Sequence, residues 1–461
     1  MKAMRQTGKI LFFAILTSLA VSCGGNDPAE PDPKPGPGPA PVPKVLTHEQ
    51  QLLDDGFYHD VLKDGWEKET KARANLMLLK WSPLKTLPST VRDVKFNAGE
   101  TVTGIPYSSL FNEKGLLAEN VSFHTFLSTL ANPKSLMYTT DYRKSTGKYD
   151  SKCTYYGTQC TGSIQFAWGL PFHQGGIDIY NGYIPYIKKL ATVDMQDLEI
   201  FDGILYSDGV DGGDGHMMMV YDIMRDKDGK MVKLVIFEAA HPTVRLTTYT
   251  PKEYRARLDE QTSKSYFFRL DRENYSDILR LPDFVEQSTD HIDRTFPTAV
   301  CPDRGDKVSY ALGTPVVLNI LSENYSKIEL YKDDALYGEP KDLAGTGDVT
   351  YENLPVGNYK ACLASGSGKS DFTFFEVADP TFTPSLEGNK LYINCEGSSY
   401  EPLFISCNVG GSYPVSTRLQ LRKVSEGKWV YEGSLGDATH VRAHFACKYS
   451  SVSGQSIRFK R

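Results

Sequence analysis

Apolar positions in the first half of the chain fall at helical spacing and then at strand spacing. HEQQLLDDGFYHDVLKDGWEKETKARANLMLLKW carries apolar residues at helical intervals with Asp and Glu toward its start, which predicts helix over about 47–87, closed by Pro83 and Pro88. Helices are also expected over 121–130 and from Cys160 onward. GILYS, HMMMVYDIM, MVKLVIFEA and YFFRL then read as strands between loops rich in Asp and Gly. Helices followed by an antiparallel sheet is the order of an α+β domain.

From about residue 296 the pattern changes. VSYALGTPVVLNILS, KIELYKD, GNYKACLAS and DFTFFEV are short strands at sandwich spacing. KLYINCE, PLFISCNV, TRLQLRKV, WVYEGS and VRAHFACKYS continue it to the end. Two β-sandwich domains are predicted, 296–379 and 380–461, serving for binding or spacing or in a purely structural role.

The first 22 residues place Lys2, Arg5 and Lys9 ahead of an apolar run too short to span a bilayer, as in an export signal. The run ends LAVSC, and small residues directly before Cys23 resemble a bacterial lipoprotein signal, which implies acylation of Cys23. Residues 23–46 carry proline at nearly every second position from Pro28 to Pro43 and would reach roughly 60 Å as a polyproline stalk at about 3.1 Å per residue. The chain of 461 residues has a net charge of −6 and no basic block, which argues against a nucleic-acid partner. Setting Cys23 aside leaves seven cysteines, so at least one is unpaired within a monomer.

Candidate chemistry gathers in the middle of the chain. Cys160 stands where GTQC ends and the helix TGSIQFAWGL begins, so free backbone N–H groups and the helix dipole would favour a thiolate there. His216 opens a strand that turns at Lys227-Asp228-Gly229 and returns toward Glu238 and His241. A two-residue loop would pair position 216 with 241. A three-residue loop would pair it with 240 and put Glu238 diagonally on the same face, so both orienting groups stay open. A thiol nucleophile, an imidazole to take and return its proton, and an acceptor to fix the imidazole tautomer form a working set. The plain alternative is a local Cys153–Cys160 disulfide beside a loop histidine and a surface glutamate.

YYGTQCTGSIQFAWGLP (155–171) resembles the nucleophile motif of the NlpC-type cysteine peptidases, papain-like enzymes of bacterial cell-wall turnover. TGIPYSS (103–109) is similar to that family's GxPY segment, FDGILYSDG to its GD-containing strand, GHMMMVYDI to its histidine strand, and VIFEAA to the strand that bears the third polar residue. The resemblance covers roughly 95–246 and implies a papain-like α+β domain over 91–295, preceded by a helical extension over 47–90. It implies Cys160 as nucleophile, His216 as general base and acid, and Glu238 as the orienting residue, with His241 in reserve. Tyr107, Gln159 and Thr161 would support or bind substrate, and the Cys160 N–H would help form an oxyanion hole. The substrate implied is an amide of a peptidoglycan stem peptide, cleaved through a thioester without a cofactor. The signal around Cys23 adds the expectation of a lipid anchor in a bacterial membrane, the outer membrane first, with the protein facing the periplasm or the cell surface.

Two departures stand out: Gln159 replaces the acid that commonly precedes the nucleophile and holds a free substrate amine, and Thr161 replaces the usual serine. Rival readings are a catalytically silent surface lipoprotein that binds through its sandwiches, and transglutaminase-like acyl transfer. Asp208, Asp211 and Asp214 lack the spacing of a calcium loop, and no motif calls for a metal. Phe166, Trp168 and Tyr183 read as core residues, and Phe172 reads as a cleft residue.

Overall fold

The computed structural model describes residues 51–52, 57–63, 65–89, 94–107, 123–139, 157–170, 187–191, 193–207, 215–259, 264–271, 294–343, 347–408 and 418–460. Cys23 and its signal, the proline-rich segment, Cys153, Phe172, Tyr183 and the three aspartates of the 208–214 loop lie outside the described residues.

An antiparallel sheet forms the centre of the first half. Its strands are β1 (Gln51–Leu52), β2 (Tyr58–His59), β3 (Ile187–Lys189), β4 (Gly203–Ser207), β5 (His216–Arg225), β6 (Met231–Ala239), β7 (Val244–Tyr249) and β8 (Lys264–Leu270). They run in the order β7-β6-β5-β4-β8-β3, and the β1–β2 ribbon takes the second half of β5's edge beyond β4. Met217, Met218, Met219 and Val220 are all fully buried, so β5 is covered on both faces and its unbroken apolar run is explained.

The longer helices of this half are α1 (Gly65–Met77), α2 (Phe123–Ala131), α3 (Cys160–Trp168) and α4 (Pro251–Asp259). Helix α3 packs on α1, β5 and β6, and every one of its residues is buried. Trp168 ties it down: its Nε1 donates to the Phe201 carbonyl at 3.0 Å, and Trp66 Nε1 donates to the Trp168 carbonyl at 3.2 Å. Gly169, at φ 71°, ends the helix and donates its N–H back to the last turn.

The helical reading of 47–90 is corrected. Helix occupies Gly65–Met77, while Tyr58 and His59 pair with Arg225 and Met224 on β5. His59 Nδ1 meets Asp222 at 2.6 Å, Arg225 Nε meets Asp60 at 2.7 Å, and the Asp60 N–H donates to the Ile223 carbonyl. This free sheet edge outweighs the local helical spacing. Nor is the segment an appendage, because Trp66, Ala74, Leu76, Met77 and Trp81 share one apolar cluster with α3 and the sheet. Strand β7 and helix α4 are elements that the sequence patterns did not predict.

Two β-sandwiches follow. The first packs the strands Val300–Pro302, Val316–Ile320 and Val349–Tyr351 against a second sheet in which Val308–Ala311 runs parallel to Thr373–Ala378 and the other pairs are antiparallel. The second sandwich is antiparallel throughout. Cys301 and Cys362 are buried in the first, and Cys395, Cys407 and Cys447 in the second, all as free thiols. Leu403 and Phe404 of the second sandwich join the apolar cluster of the first half.

Candidate active site

Three backbone features bring the site together. Gly104, at φ 80°, lets the 103–107 segment lie against β7: a Cβ there would stand 1.9 Å from the Val244 carbonyl oxygen. The Val244 N–H donates to Ile105 and the Tyr107 N–H to Pro242, while Thr158 donates to the Pro106 carbonyl. Tyr107 is thereby bridged to Thr158, two residues before Cys160. Gln159 in extended conformation (φ −102°, ψ 172°) precedes α3 without any side-chain cap, so Cys160 is the first helical residue.

The β5–β6 hairpin supplies the other partners. Gly229 donates to the Asp226 carbonyl and the Asp226 N–H to Lys230, which makes a three-residue loop. Register shifts at 231/233 and 235/236 offset each other, so Glu238 sits opposite Met218 and shares a face with His216.

His216 Nε2 donates to Glu238 Oε2 at 3.0 Å, which leaves the other ring nitrogen for the Cys160 thiol, hydrogen-bonded to the same imidazole. Cys160 is a free thiol, 7% exposed. Burial alone would push this thiol up. The hydrogen bond and charge of His216, the Met217 N–H and the Thr161 hydroxyl outweigh burial and bring it down to about 7. Thr161 Oγ1 lies 3.8 Å from Cys160 Sγ.

The imidazole moves the opposite way. Burial disfavours its cation, but Cys160 and Glu238 together raise it to about 9. Between about pH 7 and 9 the pair is therefore held as a thiolate facing an imidazolium. The buried cysteines of the sandwiches behave in the reverse sense: burial raises Cys301, Cys362, Cys395 and Cys447, the third of them to about 12.

Glu238 is 1% exposed and would be pushed up by burial, yet His216, Arg257 and Arg245 hold it well below the usual carboxylate range. Arg245 lies directly across the β6–β7 ladder and donates Nε to Oε1 at 2.9 Å; Arg257 of α4 donates Nη2 to Oε2 at 2.9 Å. His241 occupies a different place, its ring 4.0 Å from that of Tyr107. Burial, the His216 charge and Arg245 lower it to about 4, so it is neutral. The Tyr206 ring stands 5.5 Å from that of His216.

Gln159 is 6% exposed and its Nε2 has no hydrogen-bond partner among the described residues. Arg245 and Arg257 were not singled out from the sequence. A short hairpin after Glu238 would have placed Arg245 opposite it, but Arg257 reaches the site only through the packing of α4. Phe166 and Trp168 are core residues.

No protein-family model matches the chain, and no curated protein matches it. Solved structures similar to it include the fibronectin(III)-like modules of CbhA from Clostridium thermocellum, with 17% identity over 35% of this chain and 92% of that one (TM-score 0.20). The titin I-band fragment I67–I69 matches with 18% identity over 35% and 63% (TM-score 0.18). Both likenesses are to tandem β-sandwich proteins, and the sandwich assignment for 296–460 rests on the strand pairing described above.

Proposed function

We propose that this protein is a cysteine hydrolase of papain-like fold, acting on amide bonds of peptidoglycan stem peptides. The observation that carries the reading is the hydrogen-bonded series Cys160–His216–Glu238, with the thiol at a helix start and its basicity lowered by the imidazole. The thiolate attacks the carbonyl carbon, and backbone N–H groups at the start of α3 receive the oxyanion. The His216 imidazolium gives its proton to the leaving nitrogen, the C–N bond breaks and a thioester remains. Neutral His216 then takes a proton from water, hydroxide adds to the thioester, and the C–S bond breaks to return thiolate and imidazolium. Glu238 keeps its charge throughout, stabilising the cation and fixing the ring.

The substrate class follows from the order of the motifs around Gly104, Cys160, His216 and Glu238, which is that of the NlpC-type peptidases. An N-terminal lipid on Cys23 and a proline-rich stalk would hold the enzyme at a bacterial membrane, outside the cytoplasm. In the described residues no helix is long and apolar enough to cross a bilayer.

The test is alkylation of Cys160 by iodoacetamide as a function of pH. A midpoint near 7 that moves upward by a unit or more in His216→Ala is expected. An ordinary thiol midpoint in the wild type, unchanged by the substitution, would sink the proposal.

A further inference from the structure

The charges around His216 come from different elements. Cys160 of α3 and Glu238 of β6 bring negative charge, while Arg245 of β7 and Arg257 of α4 bring positive charge onto Glu238. Tyr206 of β4, paired with His216 across the ladder, adds none, because burial pushes its phenol up to about 12, and His241 is neutral. With thiolate and imidazolium cancelling each other, the two guanidinium groups leave one positive charge in excess of Glu238. Both arginines are fixed in place. Arg245 gives Nε and Nη2 to Oε1, each at 2.9 Å, from directly across the β6–β7 ladder. Arg257 Nη1 donates to the Tyr249 hydroxyl and its guanidinium lies 5.3 Å over the Tyr249 ring, while Nη2 takes Oε2 at 2.9 Å. His216 Nε2 meets that same oxygen at 3.0 Å, so the imidazolium and guanidinium nitrogens are less than about 6 Å apart. A like charge at that range disfavours the imidazolium.

We propose that Arg245 and Arg257 are positioning residues for the acid step: by occupying Glu238 they hold its carboxylate still and weaken its hold on the His216 proton, so that the imidazolium can release that proton to the leaving nitrogen. The proposal rests on the cysteine-hydrolase reading. A buried carboxylate with no cation but His216 would keep the proton on the ring, and an imidazolium that holds its proton too tightly is a poor acid. An amide nitrogen must be protonated as its C–N bond breaks, whereas 4-nitrophenolate leaves as the anion. Only amide cleavage therefore depends on how readily His216 gives up its proton.

The experiment compares the amide that Ala-γ-D-Glu forms with the α-amino group of lysine against the 4-nitrophenyl ester of the same acyl group, on the full chain in detergent. Arg257→Met keeps most of the bulk and removes the charge. The alkaline limb of its amide kcat/KM is expected to move up from about 9 by about half a unit or more. At pH 8 its amide kcat/KM should fall about threefold while that of the ester stays within about twofold of wild type. Arg245→Met, on a different element, should act in the same direction, and it decides alone should Arg257→Met fail to fold. Arg257→Lys, which restores the charge, should return the limb toward that of wild type. An alkaline limb that stays or moves down, or an amide and an ester slowed alike, overturns the proposal and leaves the arginines as braces of the fold. Iodoacetamide measured alongside separates the two readings: a wild-type midpoint near 7 with an unmoved limb in the variants defeats only the role of the arginines. An ordinary thiol midpoint, or a wild type that cleaves neither substrate, defeats the hydrolase.

Discussion

In the proposed hydrolase Glu238 governs Cys160 through His216, to which it is hydrogen-bonded. Replacing it with glutamine removes one of the two groups that raise His216 and leaves Arg245 and Arg257 unopposed, so the imidazolium is less favoured and the thiolate loses part of its cationic support. Glu238→Gln should therefore move the alkylation midpoint of Cys160 above 7. It should also cost about 3–5 kcal/mol in denaturant unfolding, because Arg245 and Arg257 are left without their counter-charge. An unchanged midpoint would mean that the carboxylate only braces the fold. In wild type, alkylation needs the thiolate alone and should rise through about pH 7 and stay high. Hydrolysis also needs the imidazolium, so its rate should rise through about 7 and fall again through about 9, a bell that a pH–kcat/KM series would reveal. The sequence made Cys160 and His216 legible as candidates because a turn-to-helix junction and one hairpin are local patterns, whereas the hairpin left Glu238 and His241 both open, since the choice turns on one residue of loop length. Arg257 was not legible, since nothing in PKEYRARLD says which strand α4 will lie against.

Among the elements, the 103–107 segment has least room for change. Gly104→Ala would set a methyl group 1.9 Å from the Val244 carbonyl oxygen at a φ that L-residues avoid, so the segment must lift off β7. We expect a lower melting temperature and at least a tenfold loss of kcat/KM as Tyr107 and the turn before Cys160 lose their support. A variant with unaltered kinetics would show that this bridge does not position the nucleophile. The long strands β5 and β6 were readable from alternation and apolar runs. Strands β1 and β2 were not, because two-residue strands have no periodicity of their own and exist only where β5 offers an open edge.

At the scale of the whole molecule, the first sandwich is bonded to the first half through α2. Gly305, at φ 94°, brings its loop against Thr125, Ser128 and Thr129; Asp306 N–H donates to Ser128 Oγ at 2.8 Å, His124 meets Asp306 at 3.1 Å and Asn132 meets Asn319 at 2.9 Å. Cutting the chain at 295 strips these buried groups of their partners. The shortened chain should lose about 1 kcal/mol per hydrogen bond and unfold at lower temperature than the whole, as calorimetry would record. Proton balance at the site has a global consequence too. His216, raised to about 9, adds stability that is complete below about 6.5 and is lost as pH rises through 9. Cys160, lowered to about 7, adds stability that is complete above its ordinary range near 9 and is lost as pH falls through 7. The two trends oppose each other: near pH 8 the folded pair holds about one proton, and so does the unfolded pair, so its contribution to the melting temperature should be nearly flat from pH 7.5 to 8.5. Glu238, lowered, adds stability above about 4.5 that is lost as pH falls below it, which places the acid limb of unfolding there.

The insertion of Leu403 and Phe404 into the apolar cluster of the first half bears on the order of synthesis. A ribosome delivers Cys160 long before these two side chains exist, so a nascent chain carries an incomplete core and an exposed greasy seam until its last quarter emerges. A chain that stops short of residue 403 would therefore need a chaperone to cover that seam, whereas a finished one would seal itself.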